Sequence, residues 1–219
     1  MSDLIPVCAD LEKAGFDSQR TTEETWEAFL SAGAFKEGEF AFASGVQSTL
    51  KVDAEMLYRH RRQFDVLLGH FATFPCIKDA DLLLDPPEGW RDFMTILGYE
   101  LKIPVIHPRR APGSKKSEYK FEFRNEEDAE IALSAKRPRI GEDVGTTMGS
   151  VFGVRQLLRA DQDVHSLVAL LRGEVNPIYS IDITHHWLLK KDIPLEKEEF
   201  NRRMREGWPD PPEAPLSED

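Results

Sequence analysis

The segment from residue 140 to residue 151 contains the side chains best suited to chemistry. Two adjacent carboxylates, Glu142 and Asp143, follow Ile140, and small or hydroxyl-bearing residues follow them: Val144, Gly145, Thr146, Thr147, Met148, Gly149 and Ser150. Backbone N–H groups at the start of a helix attract anions, and threonine and serine hydroxyls can donate to phosphate oxygens. The paired carboxylates can hold sugar hydroxyls directly or through Mg²⁺. The segment therefore predicts a sugar-phosphate site.

A simpler interpretation of the same segment is an ordinary connection from a strand to a helix, with a threonine capping the helix. The acid pair argues against it. Neighbouring carboxylates repel each other and are costly unless a positive group lies between them. Such a pair at a strand end is more typical of a functional site.

Hydrophobic spacing predicts the elements that must position this segment. Helices are expected from the cap at Thr21, along one long stretch from Met56 to Phe71, and at residues 93–101, 151–158 and 196–206. Strands are expected at residues 39–43 and 49–52, which form a hairpin, and at residues 81–84, 103–107, 131–133, 139–140 and 164–171. Residues 108–125 are polar and basic, and are expected to form a mobile loop or an extended hairpin.

The alternation of strands and helices predicts an α/β fold with a central parallel sheet and helices on both faces. Ligands of such folds bind beyond the carboxyl ends of the strands. Three loops are expected there, at residues 85–90, 108–117 and 142–149. Residues 1–20 are expected to be an arm, residues 21–207 one domain, and residues 208–219 a disordered acidic and proline-rich tail.

Composition limits the possible partners. The chain has 219 residues and a net charge of −11, so a general nucleic-acid binder is excluded and an anionic ligand needs a local basic pocket. Neither a secretion signal nor a membrane span is visible, and a cytoplasmic location is the expectation.

Cys8 and Cys76 do not have a metal-binding spacing and are expected to be inert. The pair His185 and His186 is expected to be structural, because neighbours in a strand point to opposite faces.

The segment with the acid pair resembles the phosphoribosyl-pyrophosphate signature of type I phosphoribosyltransferases. The wider match is similar to the orotate phosphoribosyltransferase branch, with a Gly-Glu-Phe and Ser-Gly-x-x-Ser pattern at residues 38–48, Asp53 after it, and the basic loop beginning at Pro108. The resemblance spans residues 22–171 and implies that fold, with a small N-terminal hairpin as a hood. The family usually has glycine at Met148. Its pyrophosphate loop is usually small and glycine-rich, whereas residues 85–90 here contain proline and place an acid where an anion would bind.

The resemblance also implies roles. Glu142 and Asp143 would contact the ribose hydroxyls, with Mg²⁺ held by them, and residues 144–150 would wrap the 5′-phosphate. Arg109 and Lys115 would act in catalysis, and Arg110 and Lys116 would bind pyrophosphate. The ligand would be phosphoribosyl pyrophosphate or a nucleoside monophosphate of pyrimidine metabolism, and the protein would be a homodimer.

Three functions remain open at this point. The first is Mg²⁺-dependent transfer of a phosphoribosyl group between pyrophosphate and a nitrogenous base. The second is a module that has lost turnover and binds a nucleotide or phosphoribosyl pyrophosphate for regulation. The third is an interaction protein without a ligand, in which Glu142 and Asp143 only cap or pair.

Overall fold

The computed structural model describes residues 17–42, 45–87, 90–172 and 183–207. Most of the predicted arm and the whole predicted tail lie outside the described residues. Among the helices of the described ranges, none combines the length and the apolar character needed to cross a bilayer.

The described residues form helices and strands in a largely alternating order. The helices are α1 Ser18–Ser31, α2 Arg61–Thr73, α3 Arg91–Leu101, α4 Glu126–Ser134, α5 Gly149–Arg155 and α6 Lys197–Glu206. The strands are β1 Phe35–Ala41, β2 Gln47–Val52, β3 Leu82–Leu84, β4 Val105–Ile106, β5 Arg109–Arg110, β6 Phe121–Glu122, β7 Pro138–Gly145, β8 His165–Arg172 and β9 Thr184–Lys191. Short 3₁₀ helices occur at Ala54–Arg59, Pro75–Ile77 and Lys116–Glu118.

Five strands form a parallel sheet in the order β4-β3-β7-β8-β9. Leu84 of β3 pairs with Ile106 of β4 on one side and with Ile140 of β7 on the other. The predicted parallel α/β architecture is therefore confirmed. The edge strand β9 lies after residue 171, where the family resemblance ends. Its His186 pairs with Leu167 of β8.

Apolar residues cover both faces of the sheet. Leu83 packs in one cluster with residues of α1, α2 and α3, whereas Leu82 and Leu84 pack in a second cluster with residues of α4 and α5. This division follows the alternation of side chains along a strand. The two layers hold the carboxyl ends of the strands at one edge, where the acid pair of β7 lies.

Two antiparallel hairpins stand apart from the sheet. β1 pairs with β2, and β5 pairs with β6, with Arg110 opposite Phe121. The first hairpin confirms the predicted hood. The second shows that the basic stretch is an extended hairpin.

The strand predicted at residues 131–133 is wrong, because these residues belong to α4. The Asn125 side chain accepts a hydrogen bond from the Asp128 N–H at 2.7 Å and caps the helix, and acidic residues occupy the first turn. Ile131 and Leu133 are exposed and only Ala132 is buried. The three consecutive apolar residues at 131–133 have the same pattern as a short buried strand.

Three predicted boundaries also change. The long helix expected from Met56 is interrupted at His60, where φ is −126° and ψ is 84°. Helix α1 begins before Thr21, because the Asp17 carboxylate accepts the Arg20 N–H at 2.9 Å and caps the helix at Ser18. The predicted loop at residues 142–149 is shorter, since β7 continues to Gly145 through pairing with β8.

Candidate active site

A cleft of about 470 Å³ opens at the carboxyl end of the sheet. The first hairpin and the segment after it contribute one part of its lining: Glu39, Phe40, Ala41, Phe42, Lys51, Val52, Asp53, Ala54 and Glu55. The remainder comes from the strand ends and the second hairpin: Pro86, Pro87, Arg110, Lys116, Tyr119, Phe121, Glu142, Asp143, Val144, Thr146, Ser150 and Arg172. Sequence segments far apart in the chain thus meet at the edge that parallel folds use for ligands.

The structure brings seven of the predicted site residues to this cleft, and they are Glu142, Asp143, Val144, Thr146, Ser150, Arg110 and Lys116. Gly145, Thr147, Met148 and Gly149 belong to the same strand end and loop but do not line the cleft. Arg109 and Lys115 do not line it either. The Arg109 guanidinium lies 2.8 Å from the Glu122 carboxylate on the neighbouring strand.

Glu142 and Asp143 have different environments. Glu142 is buried and accepts a short hydrogen bond from the Ser150 hydroxyl. Burial, with the neighbouring Asp143 charge, raises the pKa of Glu142 well above its usual value. The half-buried Asp143 accepts the Val144 N–H at 2.7 Å. Ionisation of Glu142 is therefore disfavoured, and Asp143 lines the cleft beside it.

Met148 has a φ of 61°, in the left-handed region, and directly precedes α5. Its side chain is 2% exposed and packs beneath the strand end. A Cβ on Gly145 would lie 2.5 Å from the Met148 sulfur, so the glycine provides the room that this side chain needs. The Met148 side chain therefore enters the core and leaves the cleft open.

The second hairpin packs closely on α5 through two glycines. A Cβ on Gly149 would lie 2.5 Å from the Tyr119 ring, and one on Gly153 would lie 2.2 Å from the Tyr119 carbonyl oxygen. The Arg110 guanidinium lies 5.6 Å from the centre of the Phe121 ring on the paired strand. These contacts fix the hairpin whose Arg110 and Lys116 line the same cleft as the acid pair.

Arg172 is a cleft residue that the sequence analysis missed. It ends β8, is 1% exposed, and donates to the carbonyl oxygens of Ile193 at 2.8 Å, Leu50 at 3.2 Å and Pro194. It thereby joins the sheet, the first hairpin and the segment before α6. The sequence does contain a signal for Arg172: it is a basic residue directly after the strand predicted at residues 164–171, at the edge of the sheet where ligands bind.

Two further acids near this edge are already paired. Asp85 is buried and bonds to His107, whose other ring nitrogen lies 3.1 Å from the Thr95 hydroxyl. Asp85 is therefore paired and does not line the cleft. Asp53 lies 2.5 Å from the Lys36 ammonium. Burial alone would raise the pKa of Asp53, but the Lys36 bond and the Lys51 charge lower it on balance.

No family model matches the chain, and no curated protein matches it either. Solved structures do match it. The orotate phosphoribosyltransferase of Aeropyrum pernix superposes with a TM-score of 0.56 at 16% identity, covering 83% of this chain and 98% of that one.

The UMP synthase of Leishmania donovani matches with a TM-score of 0.57 at 14% identity, covering 87% of this chain and 40% of that one. The adenine phosphoribosyltransferase of Thermoanaerobacter pseudethanolicus matches with a TM-score of 0.53 at 16% identity, covering 75% of this chain and 98% of that one. The observed topology and these neighbours together show that the chain has the type I phosphoribosyltransferase fold.

Proposed function

We propose that this protein is a phosphoribosyltransferase that moves a 5-phosphoribosyl group between pyrophosphate and a nitrogenous base. The observation that carries the proposal is the composition of the cleft. Asp143, Thr146 and Ser150 line it together with Arg110 and Lys116 of the second hairpin. Acceptors for sugar hydroxyls and cations for phosphates thus share one space. A volume of about 470 Å³ is in the range of small-molecule sites.

The residues support a division of roles in the reaction. A base nitrogen would attack C1 of the ribose as the bond from C1 to pyrophosphate breaks, and the leaving group would take the bonding electrons. Positive charge develops on the ribose ring, and the Asp143 carboxylate would stabilise that charge while accepting ribose hydroxyls. Arg110 and Lys116 would stabilise the negative charge that develops on pyrophosphate.

The donor set of the cleft fits Mg²⁺. Carboxylate and hydroxyl oxygens are the ligands this ion prefers, and it usually keeps several waters and uses one or two carboxylates with substrate phosphates. Asp143 is the residue we expect to hold it, because Glu142 is committed to Ser150. When bound, the ion would neutralise charge on the leaving pyrophosphate.

The proposed ligands are phosphoribosyl pyrophosphate and a nucleoside monophosphate, with a pyrimidine suggested by the orotate-like sequence pattern. A homodimer is part of the proposal. Arg109 does not line the cleft of its own chain and is paired with Glu122 on the surface. In a dimer the exposed side of the second hairpin would be free to approach a neighbouring subunit.

Turnover tests the proposal directly. The purified protein would be given phosphoribosyl pyrophosphate, Mg²⁺ and a panel of bases that includes orotate, uracil and adenine, and released pyrophosphate would be measured. We expect release with at least one base. The absence of release with every base, together with absent binding of phosphoribosyl pyrophosphate, would contradict the proposed function.

Two adjacent lysines sharpen this assay. Lys116 lines the cleft and Lys115 does not. We expect Lys116→Met to lower kcat/KM by about 10- to 100-fold, the cost of one lost charge-assisted contact. Lys115→Met would then have a much smaller effect. A larger loss of kcat/KM in Lys115→Met than in Lys116→Met would favour the sequence-based assignment of Lys115 to catalysis.

A second candidate function is nucleotide binding without turnover. The bond between Ser150 and Glu142 and the pairing of Arg109 with Glu122 favour it, because both occupy groups that the resemblance assigns to catalysis. This candidate predicts saturable binding of a nucleoside monophosphate with no formation or consumption of pyrophosphate. Measurable turnover would exclude it.

A further inference from the structure

The amino end of the sheet brings together three side chains that are typical metal ligands. Cys76 lies in the 3₁₀ turn after α2, His165 begins β8, and His186 lies in β9. One ligand atom from each of the three residues lies within 4.8 Å of the others. His165 and Arg172, which lines the cleft, are the two end residues of β8, which is about 23 Å along a strand. The cluster is therefore separate from the site described above.

We propose that Cys76, His165 and His186 form a binding site for a Zn²⁺ ion. Thiolate sulfur and imidazole nitrogen are the ligands that zinc takes in proteins, with bonds of about 2.0 to 2.3 Å. Rotation of the side chains would draw the three ligand atoms around the ion. The fourth position would be filled by water or by a nearby carboxylate.

The two histidines are arranged in a way that supports the site. Asp163 lies 3.0 Å from His165 Nε2, so the carboxylate can accept that N–H and leave Nδ1 as the ligating atom. His165 Nδ1 in turn lies 2.9 Å from His186 Nε2. His186 is 7% exposed, and within the described part of the chain no hydrogen-bond partner reaches its Nδ1. A buried polar atom without a partner is unusual in a site that has only a packing role.

Two carboxylates lie close to the cluster. The buried Arg139 guanidinium donates to the Cys76 carbonyl oxygen at 2.7 Å, and it lies 3.5 Å from Asp79 and 3.6 Å from Asp163. Arg137 lies 3.7 Å from Asp79, so two guanidiniums balance the two carboxylates. Asp163 is the carboxylate that also reaches His165.

Zinc titration of the full-length, metal-stripped protein in competition with a chromophoric chelator tests the site. We expect one Zn²⁺ per chain, with affinity lowered at least about 10- to 100-fold in Cys76→Ser and in His186→Gln. His185→Gln is the matched control, because His185 is the adjacent residue of the same strand and bonds to the Ser166 hydroxyl instead. That variant should retain wild-type affinity.

Cobalt substitution gives a readout that does not depend on stability. Co²⁺ in the wild-type protein should show a thiolate-to-cobalt charge-transfer band, and the band should be absent in Cys76→Ser. The same measurements in a Cys8→Ser background keep Cys76 as the single thiol of the chain. Equal zinc affinity in wild type and Cys76→Ser, or no stoichiometric binding, would show that the cluster is a hydrogen-bonded core pair of histidines and would overturn the proposal.

Discussion

At the carboxyl end of the sheet, Arg172 is buried beside an open cleft lined by acidic and basic residues, whereas at the amino end Arg139 is buried near two histidines and a thiol. Both guanidiniums are 1% exposed, and both donate to several backbone carbonyl oxygens. The two ends belong to the same sheet, and at each end a buried arginine holds neighbouring segments through hydrogen bonds to their carbonyl oxygens. They differ in the chemistry of the groups held there.

This difference shows how one parallel sheet can serve two kinds of ligand. Hard oxygen donors and cations suit a phosphorylated sugar with Mg²⁺, and they lie where loops enter helices. Nitrogen and sulfur donors suit a borderline metal such as zinc, and they lie where strands begin. Substitutions that affect one end without the other will show whether the two sites are independent.

The largest effects are expected from the two arginines. Arg172→Met and Arg139→Met should each lower the free energy of unfolding by about 3 kcal/mol or more, because each leaves several buried carbonyl oxygens without a donor. Urea denaturation gives the stability. Binding assays should then distinguish the two variants. Arg172→Met should weaken the binding of phosphoribosyl pyrophosphate, and Arg139→Met should weaken the binding of zinc. Equal loss of both ligands in both variants would mean that the two ends are coupled.

A smaller effect is expected where the second hairpin packs on α5. Gly153→Ala should destabilise the protein by about 1 to 3 kcal/mol, because the new Cβ would lie 2.2 Å from the Tyr119 carbonyl oxygen. Gly69→Ala in α2 is the matched control, since no atom of the described residues lies within 4 Å of its Cβ position. In the control, alanine should stabilise by about 0.5 to 1 kcal/mol. Equal free energies of unfolding for the two variants would contradict the packing described here.

The last effect concerns Glu142, and its size depends on pH. Because its folded-state pKa is raised, the folded chain keeps a proton that the unfolded chain releases above the ordinary value of 4.5. The stability from this group is complete below that value and declines as pH rises toward the folded pKa. Glu142→Gln cannot ionise and should escape this decline.

The advantage of Glu142→Gln over wild type should therefore grow with pH, by at most about 1.4 kcal/mol per pH unit. Urea denaturation of both proteins between pH 4 and pH 8, in metal-free buffer, would measure the difference. A difference that stays constant across this range would show that Glu142 ionises normally in the folded chain.

Periodicity predicted the sheet and the cleft edge because both depend on local pattern. The apolar runs at β3 and β8, and the acid pair after Ile140, were sufficient to place a phosphate site at a strand end. The helix at Glu126–Ser134 was missed because its cap, Asn125, precedes a short apolar run that imitates a strand. Helix propensity and the Asn125 cap therefore decided the structure of this segment, and the three consecutive apolar residues did not.

The parts that the sequence did not predict depend on contacts between distant segments. Cys76 and His186 are 110 positions apart in the chain, and no spacing rule connects them until β8 and β9 are paired. The role of Arg172 likewise requires the carbonyl oxygens of Leu50 and Ile193. The turn of Asp85 toward His107 depends on the neighbouring strand β4.

Calorimetric titration with phosphoribosyl pyrophosphate and Mg²⁺ tests the central claim most directly, with wild type compared to Asp143→Asn. We predict saturable binding by wild type and a loss of at least about tenfold in affinity in the variant, since the substitution removes a charged acceptor from the cleft. Zinc binding should be the same in both proteins and serves as the check on folding. Equal affinity for phosphoribosyl pyrophosphate in the two proteins, or no binding by wild type, would contradict the assignment of this cleft to a phosphoribosyl group.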